Sequence, residues 1–358
     1  MNSLMGFRAW PLLSVVLISL ALTVATVSAG GPPAGPPGQD RATAAKNKHA
    51  SNLLGKPGVV GVGVGVNRQG EASVVVLAES EKVGGLPTSL DGVPVVVKVT
   101  GRLVAAHCKG KHVERFPECE THQDGNGGGS EGGAVDIGTS TSRADECAAG
   151  TIGVRLTGGR ALSNNHVWAD ENNASQGDPI AAPGLLDTTC TFDSTNNTLG
   201  DLLAWKNIVF STAPGTNNEV DAAIVTVSAG KLNKSTPKKC YGIPKSIPVA
   251  AAVGQAGQKC GRTSGHTTGE VTVINADVHI GYSSGTALFK NQIIIQSNKK
   301  PVIKPGDSGS LWVTDSRDPV GLMFAANTSG KLAVASPIQV VLDSFKGIPG
   351  PPLAIDGE

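Results

Sequence analysis

The sequence lacks a charge imbalance and is poor in aromatic side chains. Its formal net charge is +1, and Phe, Trp and Tyr together make up 4% of the 358 residues. A chain without excess positive charge gives no electrostatic reason to expect nucleic acid or a membrane surface as a partner. Neither is therefore expected to bind this protein.

Long helical periodicity is also absent from about residue 134 onward. This part of the chain consists of short segments rich in Val, Ile and Thr, separated by Gly, Asn, Ser and Pro. Short apolar runs between turn residues are typical of a β-sandwich or β-barrel. We expect a mainly β domain over residues 134–346, followed by a C-terminal tail, residues 347–358.

The first residues resemble a signal for export. Arg8 supplies a modest positive charge, an apolar run extends over residues 11–27, and small residues at 27–29 suit cleavage. Residues 1–29 are therefore excluded from the predicted fold, although an uncleaved membrane anchor is a competing interpretation. Cleavage of this segment predicts a secreted or periplasmic protein with no stable membrane association.

Six cysteines would lie in an oxidising compartment after export, and an even number there favours disulfides. Proximity in sequence favours pairing of Cys108 with Cys119 and of Cys240 with Cys260, which leaves Cys147 and Cys190. The alternative is a zinc site, since zinc-type ligands are collected over residues 107–122, namely His107, Cys108, His112, Cys119 and His122. Their spacing matches no familiar zinc pattern, so we expect neither a metal nor another cofactor.

Two segments rich in glycine divide the amino-terminal part of the chain. A Pro/Gly linker spans residues 30–40, and a Gly-rich linker that also contains the first cysteines and several histidines spans residues 107–133. A small α/β unit is expected between them, residues 41–106. Its helix and three strands are predicted at 41–54, 59–66, 72–77 and 95–99.

The string Gly306-Asp307-Ser308-Gly309 contains the candidate nucleophile, Ser308. A serine hydroxyl attacks a carbonyl group only when it projects from a tight turn beside a base and beside backbone N–H groups that can hold an oxyanion. Glycine permits such a turn, but Gly, Asp and Ser are also common in ordinary surface turns. Whether this string is a nucleophile turn or an ordinary surface turn therefore depends on whether a suitable base and acid occur elsewhere in the chain.

Two of the seven histidines compete for the role of base. His107 follows Ala105-Ala106 and precedes Cys108, as in trypsin-like enzymes, but it lies in the linker, outside the β domain that carries Ser308. His166 follows a predicted hairpin over residues 152–163, which would put its imidazole at the end of a strand. We therefore predict that His166 is the base.

Two aspartates, Asp201 and Asp221, could orient that histidine. Both precede apolar residues, but the run Ala222–Val227 is the better candidate for a core strand. An orienting carboxylate must be buried and hydrogen-bonded at the same time. Asp221 is therefore the predicted acid.

His166, Asp221 and the Gly306–Gly309 string resemble the trypsin/chymotrypsin-fold serine protease superfamily, in the same order along the chain and at similar intervals. The string Cys260-Gly261-Arg262-Thr263-Ser264-Gly265 and the Ser-Asn-Asn-His-Val form of the histidine motif are similar to bacterial secreted members of the alpha-lytic type. The resemblance implies two six-stranded antiparallel β-barrels, preceded here by the small α/β domain, with the site in the cleft between the barrels.

The resemblance also implies roles for individual residues. Ser308 would attack the scissile carbonyl, His166 would take and return the proton, and Asp221 would orient His166. The backbone N–H groups of Gly306 and Ser308 would form the oxyanion hole. Asp307 would point inward and need a cation, for which Arg262 is the candidate, because no Ile-Val-Gly-Gly start is present to supply a new amino terminus.

Departures from the family concern specificity. Position 302, which lies at the floor of the primary specificity pocket in trypsin, is Val302 rather than an acid, so a preference for Lys or Arg is not expected. Ala325 and Ala326 are predicted to line a small or apolar pocket. Ser310 replaces a common third glycine, and no cysteine stands beside His166.

The sequence thus predicts an exported serine endopeptidase that acts on peptide or protein substrates. An α/β-hydrolase esterase is disfavoured, because its nucleophile motif is Gly-x-Ser-x-Gly and its histidine comes last. The remaining alternative is a catalytically silent binding protein with a protease fold. The unit 41–106 resembles a prodomain that contacts its own protease domain, and the alternative for it is a substrate- or wall-binding module.

Overall fold

The computed structural model describes Met1 and residues 35–106, 108–109, 119, 133–213 and 215–358. The rest of the predicted signal segment lies outside the described residues, as do His107, His112 and His122. From residue 35 onward the described residues belong to one unit. Within these ranges, no helix is long and apolar enough to cross a membrane.

The fold is mainly β and contains two sheets, as predicted. The α-helices are α1 (Gln39–Leu54), α2 (Asn165–Trp168) and α3 (Ile338–Ser344), and short 3-10 helices span Asp170–Asn172 and Leu185–Thr188. The strands are β1 (Val59–Val66), β2 (Ala72–Ala78), β3 (Ser89–Leu90), β4 (Val93–Val99), β5 (Leu103–Ala105), β6 (Cys108–Lys109), β7 (Ser140–Arg143), β8 (Ala148–Thr151), β9 (Val154–Leu156), β10 (Arg160–Ser163), β11 (Pro179–Ala181), β12 (Thr198–Trp205), β13 (Ala223–Val227), β14 (Ala256–Gly261), β15 (Gly265–Gly281), β16 (Thr286–Gln296), β17 (Leu311–Thr314), β18 (Pro319–Asn327) and β19 (Leu332–Pro337).

The second sheet contains the predicted six-stranded barrel. Its strands pair in the order β14-β17-β18-β19-β16-β15, and β15 also pairs with β14, which closes the barrel. The first sheet runs in the order β6-β8-β7-β11-β12-β13-β10-β9. This sheet forms the first barrel, and it includes β6, which lies in the predicted linker. Both sheets fit the predicted chymotrypsin-like architecture.

Each barrel has its own apolar core. The first is filled by buried side chains that include Trp168, Leu162 and Ile224, and the second by side chains that include Phe289 and Phe324. Helix α3 follows the second barrel in sequence but packs into the core of the first. Helix α3 therefore connects the last strand of the second barrel to the core of the first.

The predicted C-terminal tail is part of the first barrel's surface. The guanidinium of Arg160 donates hydrogen bonds to the carbonyl oxygens of Pro349 (2.7 Å) and Pro351 (3.0 Å). Ile355 forms a bridge with Leu156 of β9 and is buried. These contacts fix residues 349–356 along the barrel.

The α/β unit shares a sheet with the second barrel. Strand β1 pairs with β2 on one side and with β15 of the barrel on the other. Helix α1 packs on β1 and β2 with Ala42, Ala45 and Leu53. Lys46 of α1 is buried and forms a 2.7 Å ion pair with Asp277 of β15. The unit is therefore attached to the barrel by a strand ladder and by a buried charge pair.

Three disulfides are present: Cys108–Cys119, Cys147–Cys190 and Cys240–Cys260. The first and third are the pairs that proximity in sequence predicted. All six cysteines lie at or after position 108, so no disulfide connects the α/β unit to the rest of the chain.

The alternating glycines of β1 allow the close approach of β15. A Cβ atom at Gly63 would lie 2.4 Å from Val273 Cγ1 and 3.0 Å from Ala276 Cβ, while Gly61 faces Val278 in the same way. Val62 and Val64, which alternate with these glycines, point to the opposite face and pack against α1. The alternation of Val and Gly thus gives β1 one face that packs against α1 and another that leaves room for side chains of β15.

We expect Gly63→Val to lower the free energy of unfolding by about 1–3 kcal/mol, because it adds atoms to a filled interface. Urea denaturation measures this change. Gly84→Ala is the matched control, since its added Cβ meets nothing within 4 Å, and it should leave the midpoint nearly unchanged. A wild-type midpoint for Gly63→Val would contradict the packing argument.

Candidate active site

Ser308 lies at the apex of a tight turn, residues 304–310, that we call the nucleophile loop. Gly306 and Gly309 flank it with φ angles of 93° and 96°, which favour glycine. Space requires glycine as well, because a Cβ at Gly309 would lie 2.2 Å from the carbonyl oxygen of Thr151. The hydroxyl of Ser308 donates a 3.1 Å hydrogen bond to the carbonyl oxygen of Phe324.

The loop is held by the inward-facing carboxylate of Asp307. It accepts hydrogen bonds from the backbone N–H groups of Thr263, Ser264 and Lys304 at 2.9–3.0 Å and forms a 3.0 Å ion pair with Lys259 Nζ. Burial alone would raise the pKa of Asp307, but the Lys259 charge and these hydrogen bonds lower it. Burial lowers the pKa of Lys259, opposed by Asp307.

The expectation that Arg262 is the partner of Asp307 was wrong. The Arg262 side chain turns toward the first barrel, where its Nε donates a 2.9 Å hydrogen bond to Asp187 and its Nη2 also contacts that carboxylate. Lys259 stands one residue before the Cys260–Gly265 string and was missed. Its sequence signal is weak, since it is a single lysine on a short strand.

His166 lies in the first turn of α2, directly after β10, and its Nδ1 is 2.5 Å from Asp221 Oδ2. The backbone N–H of His166 donates to Asp221 Oδ1 at 3.2 Å. Asp221 precedes β13, and its carbonyl oxygen accepts a 2.7 Å bond from Asn164 Nδ2. Burial of both side chains is complete. The structure thus pairs the predicted base with the predicted acid.

Tyr282 is a further partner of Asp221 that sequence reasoning missed. Its hydroxyl donates a 2.8 Å hydrogen bond to Asp221 Oδ2, the oxygen that also faces His166 Nδ1. Burial, and then the nearby Asp221 carboxylate, raise the pKa of Tyr282 well above its usual value. The phenol is therefore a neutral donor.

The nucleophile loop packs against the strands that lead to His166. Thr151 at the end of β8 donates its backbone N–H to the carbonyl oxygen of Ser308 at 2.8 Å, and its hydroxyl donates to the carbonyl oxygen of Gly306 at 2.9 Å. Ser163, three residues before His166, donates to the Thr151 carbonyl oxygen at 2.7 Å. The loop of the second barrel thus contacts the histidine side of the first.

The backbone N–H groups of the predicted oxyanion hole have an occupant from the same chain. Gly306 N and Ser308 N donate to the carbonyl oxygen of Ala106 at 2.9 and 3.3 Å. The N–H of Ala106 donates to the carbonyl oxygen of Phe324 at 3.0 Å, and β5 pairs antiparallel with β18. Two residues further on, Cys108 pairs with Ala149 of β8. Residues 103–106 therefore run along β18 of the second barrel, and Cys108 pairs within the first sheet.

Two of the three predicted pocket residues lie near Ala106. Val302 and Ala326 belong to the apolar cluster that includes Ala106 and Trp312, whereas Ala325 packs in the barrel core with Leu103. Val302 is buried.

No group of three or more His, Cys, Asp or Glu side chains in the described ranges is placed to hold a metal ion. Cys108 and Cys119, which belonged to the zinc alternative, form a disulfide. The three histidines of that alternative lie outside the described residues.

We expect Lys259→Met to destabilise the protein by about 3–5 kcal/mol, because it leaves the Asp307 charge buried without a cation. The double variant Lys259→Met/Asp307→Asn should recover part of the loss, which urea denaturation can measure. A double variant no more stable than the single one would contradict this account. The lowered pKa of Asp307 means that its contribution is present above about pH 4 and is lost as pH falls through the folded-state value.

Solved structures of bacterial chymotrypsin-like serine proteases resemble this chain, although no family model and no curated protein matches it. Chymotrypsin from Cellulomonas bogoriensis is 20% identical, with a TM-score of 0.40 over 62% of this chain and 100% of its own. Protease A from Thermobifida fusca is 17% identical, with a TM-score of 0.41 over 63% and 100%. Nocardiopsis protease is 16% identical, with a TM-score of 0.38 over 59% and 97%.

Proposed function

We propose that this protein is an exported serine endopeptidase in which Ser308 is the nucleophile, His166 the general base and Asp221 the residue that orients His166. The observation that carries the proposal is the position of Ala106. Its carbonyl group lies between two N–H donors of the nucleophile loop, which is where a substrate carbonyl must lie for attack.

The contacts of Ala106 are those that a bound peptide would make. They use main-chain atoms of Gly306, Ser308 and Phe324 and the ladder between β5 and β18. Since every peptide has the same main-chain groups, a surface that binds one extended segment can bind others. Complete burial of the three proposed catalytic side chains agrees with a cleft covered by the chain's own segment.

The proposed reaction begins when Ser308 Oγ leaves the Phe324 carbonyl and attacks the substrate carbonyl carbon. His166 takes the hydroxyl proton, and the N–H groups of Gly306 and Ser308 stabilise the oxyanion. By analogy with a measured protease, each such donor lowers the barrier by about 2.7–4 kcal/mol. His166 then gives the proton to the leaving amine, and water hydrolyses the acyl-enzyme by the same route.

The first substrate in this proposal is the chain itself, at the bond between Ala106 and His107. Cleavage there would leave the α/β unit as a prodomain with no covalent link to the rest, because no disulfide connects residues before 107 to later ones. The new carboxylate of Ala106 would remain in the cleft until the unit dissociates. Three disulfides favour an extracellular or periplasmic location, where such a precursor would mature.

The proposed specificity is for a small apolar residue before the cleaved bond. Ala106 is buried among side chains such as Val302, Trp312 and Ala326. A Lys or Arg side chain there would lose its hydration without gaining a carboxylate partner, which is strongly unfavourable.

We expect wild-type protein to be labelled by a fluorophosphonate probe after maturation and Ser308→Ala not to be labelled. Ser308→Ala should also accumulate as a precursor, whereas wild-type protein should yield a fragment that begins at His107. Amino-terminal sequencing and mass spectrometry measure this. Folded wild-type protein that lacks residues 35–106 and takes no label would favour the catalytically silent binding protein instead.

Variants at Ala106 test the pocket. Ala106→Arg should slow cleavage after residue 106 at least tenfold, because the pocket is apolar, while Ala106→Ser should cleave at close to the wild-type rate. Precursor loss over time on a gel measures both rates. Equal rates for the two variants would refute the proposed specificity, and circular dichroism of each in the Ser308→Ala background verifies folding.

A further inference from the structure

The hairpin formed by β15 and β16 extends from the second barrel to the first. Its turn, Tyr282 to Gly285, closes with a 2.8 Å hydrogen bond from Tyr282 N to the carbonyl oxygen of Gly285. We call residues 282–284 the hairpin tip. Although the hairpin belongs to the second barrel, the tip contacts Asp221 and Glu171, which belong to the first.

The first contact of the tip adds a third hydrogen-bond donor to the Asp221 carboxylate. A fully buried carboxylate needs donors to both oxygens. His166 supplies two, its Nδ1 and its backbone N–H, and the Tyr282 hydroxyl supplies a third from the other barrel. The Tyr282 donor shares Oδ2 with the imidazole, so it fixes the oxygen that faces His166.

The Tyr282 ring is itself fixed in place. It packs edge-on against the His166 ring at a centroid distance of 5.8 Å and edge-on against Phe210 at 5.6 Å, and it lies 6.1 Å from Phe289. Such aromatic contacts restrict ring orientation. Tyr282 is thus placed to restrain both the carboxylate and the imidazole.

The second contact of the tip restrains the chain that follows His166. Glu171 is buried and accepts hydrogen bonds from Ser283 Oγ (2.6 Å), Ser283 N (3.2 Å) and Ser284 N (2.7 Å). Burial would raise the pKa of Glu171, but these hydrogen bonds lower it. The three consecutive residues 170–172 have positive φ angles, an unfavourable conformation for residues other than glycine. The tip therefore holds a strained segment a few residues after His166.

We propose that Tyr282 is a positioning residue of the proposed active site. From the hairpin tip of the second barrel, it holds the side chains of Asp221 and His166 of the first barrel in their relative positions. The inference rests on the proposed function. Tyr282 would not touch substrate in this role, so its removal should affect the chemical step and leave substrate binding intact.

The test compares Tyr282→Phe with Tyr241→Phe, a matched control because Tyr241 is the only other tyrosine in the chain. Hydrolysis of a peptide substrate with alanine before the cleaved bond is measured on matured protein. Loss of a hydrogen bond to a buried carboxylate should reduce kcat about tenfold or more in Tyr282→Phe, with KM unchanged. Tyr241→Phe should keep both constants.

A second readout does not depend on activity. In the Ser308→Ala background, proton NMR reports the proton between His166 Nδ1 and Asp221 as a signal far downfield. Tyr282→Phe should shift or broaden this signal, and Tyr241→Phe should not. Should Tyr282→Phe fail to fold, Ser283→Ala, which loosens the tip and keeps the phenol, should lower kcat about threefold at constant KM.

The outcomes separate the inference from the function on which it rests. Wild-type protein without Ser308-dependent labelling would overturn the proposed function and the inference with it. Active wild-type protein, with a Tyr282→Phe variant that matches Tyr241→Phe in kcat and in the NMR signal, would overturn the inference alone. A folded Ser283→Ala variant with wild-type kcat would overturn the role of the hairpin tip.

Discussion

The carbonyl oxygen of Ala106, held by the N–H groups of Gly306 and Ser308, is the contact on which the rest of the site depends. Two backbone donors two residues apart can converge on one acceptor only in a turn that extended backbone cannot form. Positive φ angles at Gly306 and Gly309 provide that turn. The ion pair of Asp307 with Lys259 then secures the loop to strand β14.

Buried charge connects the separate parts of this molecule. Asp307 is paired with Lys259 within the second barrel, Asp187 with Arg262 between the barrels, and Lys46 with Asp277 between the α/β unit and the hairpin. Buried ion pairs often contribute little net stability, because desolvation offsets their attraction. Each of the three pairs does, however, join two segments that are distant in sequence.

Sequence reasoning predicted the parts of the site that depend on local chemistry and chain order. The Gly-Asp-Ser-Gly turn, the β-rich pattern and the two local disulfides needed no knowledge of distant contacts. Lys259 could not be separated from Arg262, because proximity along a chain does not say which way a side chain points. Tyr282 was missed because the sequence suggested only short strands in this part of the chain, whereas β15 extends over 17 residues and its end reaches the other barrel.

The position of residues 103–106 also sets a limit on how the proposed precursor could be activated. Cleavage after Ala106 would remove a covalent bond but none of the main-chain hydrogen bonds that hold β5, so the α/β unit would remain bound as an inhibitor. Its affinity cannot come mainly from Lys46 and Asp277, since separation returns both to water. The apolar face where the glycines of β1 receive Val273, Ala276 and Val278 would contribute to it, together with the β1–β15 and β5–β18 ladders. Release of activity would then require the separation of β1 from β15 as well as of β5 from β18.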